Sequence, residues 1–405
     1  MKNFTKFLAV ILCLVIALST AACSLKPQWS YKEAGTDEEL PIGVYIYALY
    51  SAYNEALQYA RETDAYNEET GLYNGETSFL NVKITDYDGN TAIASTWIRE
   101  KAEKTMKTFI AINKEYDRLG ATMDEAKVKE SIKGKWTGES YKNDPMYAQY
   151  LAMGYSFPSD QSILEPFDIS YDSYEYVNLT SQKESVIFDK LYREGGEKAV
   201  SDEDLKKYFT DNYTSYTYFN TNLYTTDTVE GSASSTGALT TSTAMSDDEI
   251  KKHEKRFEGY VNDIKNGKSL DDVIKTYKTD YELKTEDTTA TSSKIELTKE
   301  ISAGDDIKTT LESLNIGEAA YITVGEGDQK SLYFIYKSSI VKESETYFDS
   351  ANNKEADDNR YTTLANMKGD EYKDYIQALA TSTKVEKSKY VDKYDPKMFE
   401  PKEEK

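Results

Sequence analysis

From Pro41 onward the apolar side chains recur at three- and four-residue steps, and that period, cut at intervals by glycine, commits the first half of the chain to packed helices. Ile42, Ile46, Leu49, Tyr53, Leu57 and Ala60 fall on one face, and Pro41 suits the first turn of the helix they define. Residues 67–90 interrupt the pattern with Gly, Asn and Asp clusters around Phe79, Val82 and Ile84, which predicts a loop or a small hairpin. A long helix is expected over 92–119, with Ile98, Ala102, Met106, Phe109, Ile112, Tyr116 and Leu119 inward and Gly120 as its stop. Thr122 and Glu125 have the spacing of a capping box for the next helix. Met153-Gly154 closes a further apolar segment, a helix over 171–194 ends at Gly195-Gly196, and Ser201 opens a short helix carrying Leu205, Tyr208 and Phe209. Residues 41–212 therefore read as one helical domain.

After Asp211 the composition shifts. Residues 213–226 alternate aromatic, Thr and Asn side chains as a strand does. Residues 231–244 are a Ser/Thr/Gly/Ala run, expected to be an exposed, mobile loop. Ser246 and Ser269 cap two helices, with Ile250, Phe257, Val261 and Ile264 inward on the first and Leu270, Val273, Ile274 and Tyr277 on the second. A short helix with Ile307, Leu311 and Leu314 ends near Gly317, and 321–324 and 332–337 flank Gly325-Glu326-Gly327-Asp328 as a hairpin. Strands and helices in this order predict a compact α+β domain over 213–343. A last amphipathic helix over 357–380, with Leu364, Met367, Tyr372, Ile376 and Leu379, needs a partner surface, because isolated helices are marginal in water. It is expected to return, within 344–395, to the N-terminal helices and leave the α+β domain as an insertion; 396–405 read as a polar tail.

The N-terminus addresses the compartment. Lys2 and Lys6 precede an apolar run over 7–18, and Ser19-Thr20-Ala21-Ala22 lead to Cys23. This is the anatomy of a secretory signal over 1–22. It resembles a bacterial lipobox, with Thr20 where Leu is usual, which implies a lipid on Cys23 and a linker over 23–40. The apolar run is short for a bilayer span. The chain is thus expected on the outer face of a bacterial cell membrane, tied to it at its N-terminus. Cys13 lies inside the signal, so no free thiol is left for a disulfide or a thiolate-held metal. With 71 acidic against 49 basic residues the formal net charge is −22, which excludes the basic footprint of a nucleic-acid binder.

No Gly-rich phosphate loop and no histidine-based metal spacing occurs, so no cofactor or metal is expected. Asp86 to Asn90 lack the downstream Glu of a calcium loop and read as a turn; Glu68-Glu69 and Asp271-Asp272 read as solvated faces. The 35 tyrosines are the most suggestive residues. Tyr45, Tyr47, Tyr50, Tyr53 and Tyr59 cannot share one helix face, so either some stay accessible for weak contact with unfolded segments or all of them cover a small core.

Three stretches carry a family likeness: 200–209 with Ser201, Leu205 and Phe209, 267–277 from Gly267 through Tyr277, and 311–324 with Leu314 and Gly317-Glu318. In their order they resemble the PrsA and SurA group of extracytoplasmic foldases, in which a helical chaperone domain carries a parvulin-type peptidyl-prolyl isomerase domain. The resemblance implies a membrane-anchored chaperone for unfolded or nascent secreted polypeptides. It also implies an isomerase site built on two histidines from adjacent strands and an Asp or Cys. The histidine positions fall near Asn222 and Tyr333, Asp280 takes the acidic one, and the expected Gly-rich segment is replaced by Thr/Ser-rich 281–293. The single histidine, His253, lies on a helix instead. Weak or absent isomerase activity is therefore expected. The alternatives are an isomerase with an altered site, and a solute receptor, whose two α/β lobes 41–210 do not provide.

Overall fold

The computed structural model describes residues 28–401 apart from 144, 156, 235–236 and 285–288; the expected signal at 1–22, lipidation at Cys23 and residues 402–405 lie outside the described residues. In chain order the elements begin with β1 (Trp29–Glu33), β2 (Glu39–Pro41), α1 (Ile42–Arg61), β3 (Tyr66–Asn67), β4 (Leu72–Tyr73), β5 (Lys83–Thr85), β6 (Thr91–Ile93) and α2 (Ala94–Arg118). They continue with α3 (Glu125–Thr137), α4 (Pro145–Ala152), α5 (Asp160–Leu164), α6 (Tyr171–Tyr192), α7 (Asp202–Asn212), β7 (Tyr213–Asn222), β8 (Tyr224–Ser234) and β9 (Gly237–Ala244). The remainder is α8 (Asp247–Lys265), α9 (Leu270–Asp280), β10 (Ser292–Leu297), α10 (Asp305–Ser313), β11 (Ala319–Val324), β12 (Ser331–Lys337), α11 (Ile340–Tyr347), α12 (Ala356–Ser382) and β13 (Val385–Lys387). Among the described residues two compact units result: 28–199 with 369–401, and 200–368.

In the first unit α1 is the central helix. Val44, Ile46, Leu49, Ala56 and Ala60 are completely buried, and Tyr45, Tyr53 and Tyr59 are nearly so. Alanines at 48, 52, 56 and 60 keep one ridge low, which lets α2 and α6 pack closely. At its start a Cβ on Gly43 would stand 2.4 Å from Ser173 Oγ of α6, so any side chain there would have to push Ser173 aside. The hairpins β3–β4 and β5–β6 fill the expected 67–90 interruption. The cap expected at Thr122 is supplied by Asp124, whose side chain accepts from the Lys127 N–H at 3.1 Å.

Two expectations for this unit's ends need correction. The linker expected over 23–40 contains β1 and β2, which join β13 in a three-stranded sheet of order β13-β1-β2, with Tyr31 opposite Lys387. Strands this short carry no readable period, and β1's partner is at the far end of the chain. The polar tail expected over 396–405 begins with residues that belong to the core, since Pro396 and Phe399 are buried. Phe399 packs on Phe167, Tyr50 and Tyr53 at ring distances of 5.1, 5.4 and 5.5 Å.

The second unit is an antiparallel four-stranded sheet of order β10-β7-β12-β11 with helices on both faces. Because β12 is apolar at successive positions, it buries both sides. Leu332 and Phe334, with Phe219 of β7, face Phe257, Tyr260 and Val261 of α8 and Val273 and Tyr277 of α9. Ile335 and Tyr216 face Ile307 and Leu311 of α10. The Phe219 ring stacks on Phe334 at 4.5 Å and on Tyr277 at 4.1 Å.

Here too the expected boundaries move. The unit opens at Val200 rather than 213 because α7 packs within it: Phe209 is fully buried and stacks on Tyr213 at 4.8 Å and on Tyr347 at 4.5 Å. Arg360 pairs with Asp202, and Tyr208 Oη donates to the Asn366 carbonyl at 2.9 Å. Residues 344–368, expected with the N-terminal helices, therefore belong to this unit, and the part of α12 from Gly369 belongs to the first. The loop expected over 231–244 is a β-hairpin, β8–β9, with Tyr224 opposite Ala244. Its threonines favour extended backbone, a preference that a reading of low complexity alone passes over.

Candidate functional site

The two positions at which the family likeness calls for histidines lie on adjacent strands. Ser331 is opposite Asn222 and Tyr333 opposite Asn220 across the β12–β7 pair, so Asn222 and Tyr333 share one face, two rungs apart. Asn222 is exposed, and its Oδ1 accepts from the Ser331 hydroxyl at 2.9 Å. Tyr333 is half-buried at the rim of the α10-side cluster, 5.9 Å from the Tyr218 ring. Burial, with Tyr218 and Tyr224 nearby, raises its phenol above the ordinary value.

Asp280 is elsewhere. It ends α9 and accepts from Tyr260 Oη at 2.8 Å, and Tyr260 belongs to the cluster on the opposite face of the sheet. His253 is held by Tyr281, with Nδ1 and Oη 2.5 Å apart and the rings stacked at 5.5 Å. Burial, together with the nearby Arg256 charge, lowers its pKa and favours the neutral ring. The structure therefore brings Asn222 and Tyr333 to one surface and leaves Asp280 and His253 on the other layer. What faces solvent between β7 and β12 is a phenol–amide surface of Tyr218, Asn220, Asn222 and Tyr333, without an acid–base pair.

The tyrosines singled out on α1 are not a binding surface. Tyr45, Tyr53 and Tyr59 are buried and Tyr47 and Tyr50 half-buried, because α1 is surrounded by its neighbours. Burial pushes Tyr45 and Tyr53 up to about 12. Tyr59 touches Trp97 at 5.5 Å, Tyr47 touches Tyr174 at 6.3 Å, and both contacts are internal to the core.

The accessible apolar surface is at α4 and the turn after it. Met146, Tyr150, Leu151, Met153, Tyr155 and Phe157 are between 42% and 62% exposed. Tyr150 meets Phe157 at 5.6 Å and Tyr155 at 6.0 Å, and Tyr147 bridges Phe157 and Tyr141 at 5.5 and 5.8 Å. The rings thus support one another while leaving faces open. Beside this patch the chain is anchored by Trp136, buried against Tyr174 at 4.9 Å, and by Tyr174 Oη, which donates to Asp160 Oδ2 at 2.5 Å. A patch of this kind is uncommon on a protein that binds nothing. The sequence carries a signal for it: residues 145–159 hold no charged side chain in a chain that is 30% charged. Periodicity misses it, because an uncharged apolar run scores the same whether buried or open.

No protein-family model and no curated protein matches this chain. Solved structures are similar to it, two foldase proteins among them. One is the foldase protein PrsA from Streptococcus pneumoniae str. Canada MDR_19A, with 14% identity, 74% of this chain and 90% of that chain covered, and a TM-score of 0.32. The other is the foldase protein PrsA from Lactococcus lactis, with 12% identity, 90% of this chain and 96% of that chain covered, and the same TM-score, 0.32. Among the described residues no helix is long and apolar enough to cross a membrane, and no group of three or more His, Cys, Asp or Glu side chains is placed to hold a metal ion.

Proposed function

We propose that this protein is an extracytoplasmic chaperone of the foldase type that binds unfolded secreted polypeptides, held at the membrane through a lipid on Cys23. The observation that carries the reading is the open, charge-free aromatic and methionine surface at 146–157. Met and Tyr side chains adapt to many apolar partners at low cost, which suits weak, unspecific capture. The formal net charge of −22 supports it from the other side, because mutual repulsion keeps client-loaded molecules apart. The α+β unit serves as a second polypeptide-binding surface in this proposal, with weak or absent isomerase activity.

Isomerisation must favour the twisted amide over both planar forms, against a barrier of about 18–20 kcal/mol. The adjacency of Asn222 and Tyr333 keeps an altered isomerase as the second reading; the engagement of Asn222 by Ser331 and the distant placement of Asp280 weigh against it.

The test is suppression of aggregation. Added in excess to an unfolded client followed by light scattering, the full chain should lower the scattering, and a chain with Tyr150, Leu151 and Phe157 replaced by Ser should not. Failure of the unaltered chain on every client would end the chaperone reading.

A further inference from the structure

The two edges of the four-stranded sheet are treated differently. Sheet edges present unpaired backbone groups, and proteins usually blunt them with charge, irregularity or a cover. On the β10 edge, Lys294 and Glu296 stand 3.6 Å apart and the strand runs directly into a 3-10 turn. On the β11 edge the six residues Ala319–Val324 are uncharged, and among the described residues no strand pairs with β11 except β12. The strand is regular along its length, with register from Ala319 opposite Tyr336 to Val324 opposite Ser331.

The bonding pattern decides which amides are free. The Lys337 N–H donates to the Glu318 carbonyl at 3.0 Å, and its carbonyl accepts from the Gly317 N–H at 2.8 Å, so Lys337 bonds toward the β11 side. Ser338 N–H bonds the other way, to the Ser215 carbonyl at 2.9 Å. Alternation then gives Ala320, Ile322 and Val324 to β12 and turns the amides of Ala319, Tyr321 and Thr323 outward. Tyr321 and Thr323 are exposed.

We infer that β11 is a strand-addition edge that takes an extended segment of an unfolded polypeptide with an uncharged β-prone centre and basic flanks. The inference rests on the chaperone reading for the nature of the partner. Charge selects that partner over a second copy of this chain. Glu318 precedes β11, and Glu326 and Asp328 follow it. In the register that opposes Tyr321 of one copy to Thr323 of the other, Glu318 would face Glu326, and directly opposed like charges destabilise a strand pair. Basic flanks on a client would meet the same groups favourably. Backbone bonds supply affinity without demanding a sequence, as a chaperone requires.

The experiment uses the full chain and a labelled peptide with a Val/Thr centre and lysines at both ends. Binding should slow amide hydrogen exchange at Tyr321 and Thr323, and the same peptide methylated on the nitrogens of its pairing edge should not bind. Thr323→Pro removes an outward donor but no bond to β12, and should weaken the peptide about tenfold, whereas Thr323→Val should leave it unchanged. Hydrogen exchange elsewhere in the sheet reports whether the Pro variant is folded. Equal binding of the methylated peptide, protection away from β11, or protection that grows with protein concentration in the absence of peptide would each overturn the assignment. A chain that captures the peptide at β11 yet suppresses no aggregation would sink the chaperone reading and leave the edge standing.

Discussion

Tyr375 Oη donates to Glu115 Oε1 at 2.5 Å, joining the returning C-terminal helix to α2 across 260 positions of sequence. Glu115 is only 3% exposed and also accepts from Arg118 Nε and Nη2, each at 2.7 Å. Burial alone would raise its pKa, but the bonds from Arg118 and Tyr375 outweigh that and hold it below the ordinary 4.5. A carboxylate with a depressed folded pKa adds stability that is present above about pH 4.5 and is lost as pH falls through the folded value. Glu115→Gln should therefore cost about 1–3 kcal/mol at neutral pH, with the deficit shrinking under acid. All three tryptophans, Trp29, Trp97 and Trp136, lie in the first unit, so urea unfolding followed by their fluorescence reads this unit alone. An unchanged midpoint at pH 7 would contradict the assignment.

Phe399 gives a second measure of the same unit. Its ring fills a space bounded by Tyr50, Tyr53 and Phe167, and Phe399→Ala should cost about 3–5 kcal/mol through lost burial and the cavity left behind. The tryptophan transition should fall accordingly, while amide exchange in β7 and β12 stays as before. A change below about 0.5 kcal/mol would mean that the C-terminal segment is not part of the core.

The second unit should show its own acid sensitivity at His253. Its pKa is depressed from 6.5 by burial and by Arg256, so the folded state binds fewer protons than the unfolded state below pH 6.5. Stability is then full above that pH and declines as pH falls toward the folded value. His253→Gln should remove this part of the slope below about pH 6.5, read from amide exchange in α8. A parallel slope in both proteins would assign the sensitivity to carboxylates.

Sequence reading went far where one element sufficed. The helices at 42–61, 94–118, 171–192 and 247–265 and the 319–337 hairpin follow from local period and caps, and Ser246 caps its helix as expected, in a capping box with Glu249. It failed where the decisive neighbour is remote. β1 needs β13, Phe399 needs Tyr50, and α7 needs Tyr347; none of these pairs leaves a local trace. For the candidate site, the adjacency of Asn222 and Tyr333 was legible through the family likeness, whereas the open patch left only the charge-free run 145–159, which does not say whether the run is buried or open. Composition said that tyrosines were abundant, and only packing says that those of α1 are core while Tyr150 and Tyr155 are open.

The isomerase question has a direct measurement. With Asn222 engaged by Ser331, Tyr333 against Tyr218, and Asp280 on the other layer, cis/trans exchange of a proline tetrapeptide should proceed at the rate of buffer alone. Exchange faster than buffer that is abolished by Tyr333→Phe would instead establish a site built on the phenol.

The patch at 146–157 separates binding from stability. Tyr150, Leu151 and Phe157 are 42%, 48% and 45% exposed, so replacing each by Ser loses only contacts within the patch, and the tryptophan transition should shift by less than about 0.5 kcal/mol per residue. The same residues supply the apolar area that an unfolded chain would cover, at roughly 25 cal/mol for each Å² removed from water, so suppression of client aggregation should drop with each substitution and vanish in the triple variant. Tyr53→Ala is the matching control: its ring is buried against Phe79 at 4.9 Å, so it should lower stability while leaving capture by the folded fraction intact. If the triple variant still protects clients while Tyr53→Ala does not, capture depends on the integrity of the core and the exposed rings take no part in it.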